Sequence, residues 1–224
     1  MIRPNKSDFS SVWKEWLKEI ATSKGLTQFE PEVESISNIR IGQARYILGK
    51  LAKSTDDSFI EFPQSYGRKT TLAGIGMFLE KDHQKEYLVT AFGKRKGRGA
   101  DRPAQFYGVH ISHGLKHNVN FSHACIDYLE KHVDEIKNAE VLICHNHPRN
   151  FITDLLSQIV DWSPLPSNTD RETMFQFKCR SFVNWLKSGS FSRIRFYLFE
   201  NGGLREIQLP SINRISQMLE VFTK

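Results

Sequence analysis

The stretch that decides the reading is EVLICHNHP, Glu140 to Pro148. Glu140 to Cys144 is a short apolar run of the kind that forms a buried strand. It ends directly at His145. Side chains alternate along a strand, so His145 and His147 share one side, while Cys144 and Asn146 take the other. Two imidazoles on one side of a strand end, where a loop begins, can grip one metal ion. Cys144 points away from them and reads as a small buried core residue.

Working outward, Phe121 to Ile136 has helical spacing, with Cys125, Ile126, Leu129 and Val133 inward. Further upstream, Gln105 to Ile111 (QFYGVHI) and Glu86 to Phe92 (EYLVTAF) are strand candidates. Thr70 to Glu80 (TTLAGIGMFLE) is also strand-like and leads into the polar turn KDHQ. Downstream, Asn168 to Lys187 is expected to be a helix, with Gly189 past its end. Arg193 to Phe199 and Leu204 to Leu209 flank Glu200-Asn201-Gly202-Gly203, a hairpin signal. Ile212 to Phe222 forms a last short helix. At the other end of the chain, Phe9, Val12, Trp13, Trp16, Leu17 and Ile20 make one stripe of a helix over Asp8 to Ser23. A second helical pattern runs from Ile41 to Lys53. The expected organisation is an N-terminal helical extension, residues 1–60, followed by an α/β domain over 61–224 in which a sheet is flanked by helices.

A chain of 224 residues with 39% hydrophobic content suffices for one sizeable domain. No apolar stretch reaches the roughly 18 residues of a membrane helix, and MIRPNKSDFSS lacks the apolar run of a secretory signal. Three widely spaced cysteines, Cys125, Cys144 and Cys179, suggest a reducing compartment rather than a disulfide framework. These features point to a cytoplasmic protein with no membrane partner. The net charge is +6, and the cations are densest in GKRKGRG, Gly93 to Gly99. That cluster reads as a solvated loop or as a contact for nucleic acid or an acidic protein face. It lacks the interleaved aromatics of a single-strand binding platform.

A second informative segment is PLPSNTDRET, Pro164 to Thr173. Ser167 sits where a helix N-cap belongs, and Asp170 follows three residues later. By itself this is an ordinary capping box. With two histidines upstream, Asp170 also becomes a candidate ligand, because catalytic zinc takes three protein ligands and keeps one position open. Asp161 is a rival for the third place. His110, His113 and His117 are spaced by three and four, but Gly108, Gly114 and the β-like QFYGVHI argue against a helical metal face there.

The His-Asn-His-Pro run followed by Pro-Ser-x-x-Asp resembles the JAMM (JAB/MPN) zinc metallopeptidase motif, and in particular its RadC-like, prokaryotic branch. The similarity spans roughly residues 70–199. It implies a JAB/MPN-like, cytidine-deaminase-like fold, and zinc held by His145, His147 and Asp170. It further implies a catalytic glutamate at the start of an upstream strand, for which Glu86 fits best and Glu80 second, and Ser167 as the oxyanion donor. The implied activity is hydrolysis of an amide or isopeptide bond, with removal or processing of a ubiquitin-like protein as the first choice. A RadC-like, nucleic-acid-associated protein connected with DNA repair or defence is the alternative. The chain departs from the family spacing: 22 residues separate His147 from Asp170. The excess, within Arg149 to Ser163, includes Phe151, Leu155 and Trp162 and reads as an inserted helix, either packed on the domain or acting as a substrate lid.

Overall fold

A computed structural model of the chain describes residues 6–22, 27–30, 36–53, 59–81, 85–94, 105–114, 125, 139–147, 174–175, 193–200 and 203–222. The contacts divide the chain into two compact units. One gathers residues 1–28, 166–191 and 207–224, and the other residues 29–165 and 192–206.

The larger unit is built on a mixed α/β sheet. Its strands are β1 (Thr27–Glu30), β2 (Ile60–Glu61), β3 (Tyr87–Lys94), β4 (Gln105–His113), β5 (Ala139–His145), β6 (Arg193–Glu200) and β7 (Gly203–Ile207), in the order β1-β7-β6-β5-β3-β4-β2. β3 lies antiparallel to both β4 and β5, whereas β5 and β6 are parallel. β6 and β7 form the expected hairpin, with Glu200 paired to Gly203.

Side-chain alternation divides the sheet into two apolar faces. On one, Tyr87, Val89, Ala91, Leu142, Cys144, Tyr197 and Phe199 pack with α2 (Asn38–Leu51) and α3 (Lys69–Leu79) through Ala44, Ile47, Leu72 and Ile75. The other carries Leu88, Thr90, Phe92, Val141, Ile143, Phe196 and Leu198, all buried. Cys125, a buried helical residue, lies close to Thr90 of this second face. α2, placed by the sequence in an N-terminal extension, thus supplies Ala44 and Ile47 to the core of the sheet unit.

The expected strand over Thr70 to Glu80 is a helix, α3. Residues 71–76 are all buried, and an unbroken apolar run cannot by its period tell a strand from a buried helix. Two glycines make the close fit. A Cβ at Gly74 would lie 3.1 Å from the Cβ of Ala44, and one at Gly76 would run into the Phe199 ring. The short strands β1 and β2 were not expected from the sequence.

The smaller unit has its own core. Val12 and the half-buried Phe9, Trp13 and Trp16 of α1 (Lys6–Thr22) pack with Phe175 and with Ile215, Met218 and Leu219 of the C-terminal helix α4 (Ile212–Phe222). The Trp13 and Phe175 rings stack with centroids 4.9 Å apart. The described part of the apolar stripe, Phe9, Val12, Trp13 and Trp16, therefore has a partner. Among the described residues, no helix is long and apolar enough to cross a membrane.

Candidate metal centre

β5 carries the chain to His145, its last strand residue, and His147 follows two positions on. His145 is buried and His147 half-buried. Their Nε2 atoms are 3.1 Å apart, with ring centroids at 5.0 Å and planes inclined by 51°. Two ring nitrogens brought this close need something positive between them, either a proton held by one ring and accepted by the other, or a shared cation. The separation fits a metal. Two imidazoles about 2.0–2.1 Å from a tetrahedral zinc stand about 3.3 Å from one another.

The register of β3 and β5 places the candidate glutamate. Leu88 pairs with His145, and Tyr87 meets Asn146 through Asn146 N–H donating to the Tyr87 carbonyl at 3.4 Å. Glu86 immediately precedes β3, and continued alternation would put its side chain on the face of Leu88 and His145. Glu86 is half-buried, and its carbonyl accepts from the Gly114 amide at 2.8 Å, which ties it to the end of β4. Glu80, the second candidate, does not end a strand. It caps the C-terminus of α3, with its amide donating to the Gly76 carbonyl at 2.8 Å. Because α3 packs on the face of Val89 and Cys144, Glu80 belongs to the side of the sheet opposite His145.

The partner face of Asn146 holds a feature that the sequence reading left without a role. Asn146 is fully buried; its Oδ1 accepts the Tyr87 amide at 2.6 Å and its Nδ2 donates to the Lys85 carbonyl at 3.3 Å. An amide wedged between two imidazoles that face the other way was the available signal, since a buried Asn requires both a donor and an acceptor nearby.

Asp170, Ser167, Asp161 and the 149–163 insertion lie outside the described residues. Among the described residues, no group of three or more His, Cys, Asp or Glu is arranged to hold a metal ion; the described part of the candidate metal site is the two histidines. His110 and His113 sit on β4, the first buried with Nδ1 3.4 Å from the Ser112 hydroxyl and the second against the Tyr87 ring. They are strand residues, not the face of a helix. Cys144 is buried on the opposite face from the histidines, as alternation requires. Burial pushes the Cys125 thiol up to about 11, against a smaller lowering from the nearby Thr90, so it is a poor nucleophile at neutral pH. Comparison with protein-family models, curated proteins and solved structures returns no match.

Proposed function

We propose that the chain is a zinc-dependent hydrolase of amide or isopeptide bonds of the JAMM type, built on a JAB/MPN-like sheet. The observation that carries the reading is the convergence of the His145 and His147 Nε2 atoms to 3.1 Å at the end of a central strand, with Glu86 at the start of the neighbouring strand β3. In this reading His145, His147 and Asp170 hold the metal. Zinc at such a site polarises a carbonyl and brings the pKa of a water toward neutrality. Glu86 takes a proton from the attacking water and delivers it to the nitrogen of the leaving amine, acting first as base and then as acid. Ser167 donates a hydrogen bond to the oxygen that gains charge as the carbonyl becomes tetrahedral. The substrate is the amide bond at the C-terminus of a ubiquitin-like protein, in a conjugate or a precursor.

The deciding experiment joins metal analysis to cleavage. The purified chain is expected to carry one zinc, to cleave a ubiquitin-like protein joined through its C-terminus to a lysine side chain, and to lose and regain that activity on chelation and zinc addition. Absence of stoichiometric zinc under saturating metal would overturn the metal assignment. Zinc without cleavage, together with DNA binding that weakens steeply with salt, would move the reading to a nucleic-acid-associated protein.

A further inference from the structure

We propose that Asn146 is a positioning residue that holds Glu86 level with the histidine pair, an inference that rests on the hydrolytic reading of the site. Its side-chain amide straddles Glu86. Nδ2 donates to the carbonyl of Lys85 on one side of it, and Oδ1 accepts the amide of Tyr87 on the other, at 3.3 and 2.6 Å. The last residue pair of the β3–β5 ladder is Leu88 with His145. Beyond that pair one main-chain hydrogen bond continues, from the Asn146 amide to the Tyr87 carbonyl, and the Asn146 side chain, with the same donor and acceptor as a peptide group, adds partners for the Tyr87 amide and the Lys85 carbonyl. On the far side the Gly114 amide holds the Glu86 carbonyl. Glu86 is therefore fixed from β4 and β5 together.

The residue type follows from this geometry. Asp would keep the acceptor for Tyr87 but lose the donor to Lys85. Gln would carry the amide one methylene further out. The position follows as well. The residue between two histidines on a strand points away from them, so the clamp can act on Glu86 without occupying the face on which a metal and substrate would sit. Both of its side-chain hydrogen bonds are to main chain, so its effect on Glu86 is one of placement. Misplacing a proton-transfer group by about 1 Å can cost on the order of 100-fold in rate.

The test is Asn146→Ala in the full chain, read by amide hydrogen exchange, zinc content and steady-state kinetics on the ubiquitin-like conjugate. Exchange at Tyr87 and Gly114 is expected to accelerate by about 10-fold or more while Val89 and Ala91 stay protected, the pattern of a local opening. Zinc content is expected to hold, and kcat to fall about 10- to 100-fold with KM unchanged. Asn146→Asp, which keeps the acceptor, is expected to leave Tyr87 protected, which separates loss of the clamp from loss of the fold if the alanine variant unfolds. Unchanged exchange at Tyr87 and Gly114 in Asn146→Ala, or equally fast Tyr87 exchange in both variants, would overturn the clamp. Faster exchange with an unaltered kcat would overturn its role in placing Glu86 and leave the hydrolytic reading standing. If the wild-type chain hydrolyses nothing, that reading fails and the placement proposal with it, while the exchange data still decide whether Asn146 holds the segment.

Discussion

Gly76 lies against the ring of Phe199 so closely that no Cβ fits between α3 and β6. Phe199 is 2% exposed and packed in the core, so it has no room to swing aside. Gly76→Ala is therefore expected to destabilise the protein by about 1–3 kcal/mol, the cost of overpacking. Gly42 and Gly49 are the contrast. They lie within α2 with nothing near the position of a Cβ, and replacing either with Ala should stabilise by about 0.5–1 kcal/mol. Denaturant midpoints that move in opposite directions with unchanged slope would bear this out. A stabilising Gly76→Ala would refute the packing of α3.

His147→Ala is expected to abolish stoichiometric zinc while the fold is largely kept, because His147 is half-buried and follows the end of β5. Metal analysis against far-ultraviolet circular dichroism tests this. Full zinc occupancy in the variant would remove His147 from the ligand set.

Glu86→Gln is expected to retain zinc and lose hydrolysis, since the amide matches the shape of the carboxylate but cannot carry the proton. Glu80→Gln should leave activity unchanged, because Glu80 ends the helix packed on the other face of the sheet. The two variants assayed side by side decide between them. An active Glu86→Gln with a dead Glu80→Gln would reverse the assignment.

Alkaline pH should unmask Cys125. Its thiol is pushed up to about 11 in the folded protein by burial, from an ordinary value of 9.0. The folded pKa is the higher one, so the contribution to stability is fully present below pH 9 and is lost as pH rises through 11. Two pH units correspond to roughly 2–3 kcal/mol. Cys125→Ala is expected to be less stable at neutral pH but to show a shallower loss between pH 9 and 11. Parallel stability–pH curves for variant and wild type would contradict this origin.

The parts of the fold most legible in the sequence were those with a distinctive period or punctuation. EVLIC and EYLVTAF read as strands because apolar runs of that length end at polar groups, and Asn201-Gly202 marked the hairpin between β6 and β7. α3 was read as a strand because its buried residues are continuous; what makes it a helix is contact with Ala44 and Phe199, which are distant in the chain. β1 and β2, of four and two residues, are too short to carry a period. At the site, alternation alone brought His145 and His147 together. The level of Glu86 depended on the β3–β5 register, and register is a property of two strands at once. The role of Asn146 was hidden for the same reason, because its partners lie some sixty positions upstream.

At the opposite end of β5 from the histidines, Arg195 links its own strand, β6, to both neighbours, β5 and β7. Its Nε is 3.4 Å from Glu140 on β5 and its Nη1 3.8 Å from Glu206 on β7, while the same Nη1 donates to the hydroxyl of Tyr197 at 3.4 Å. Glu140 is buried, and a buried carboxylate tolerates separation from its partner poorly. If β5 slipped by one residue against its neighbours, the histidines would turn to the wrong face. If it slipped by two, they would keep the face but slide about 6.6 Å along the sheet, away from Glu86. The ion pair guards against the first error, since a one-residue slip turns Glu140 to the face opposite Arg195. Proofreading of the strand alignment is thus done at one end of β5, and the group that depends on it sits at the other.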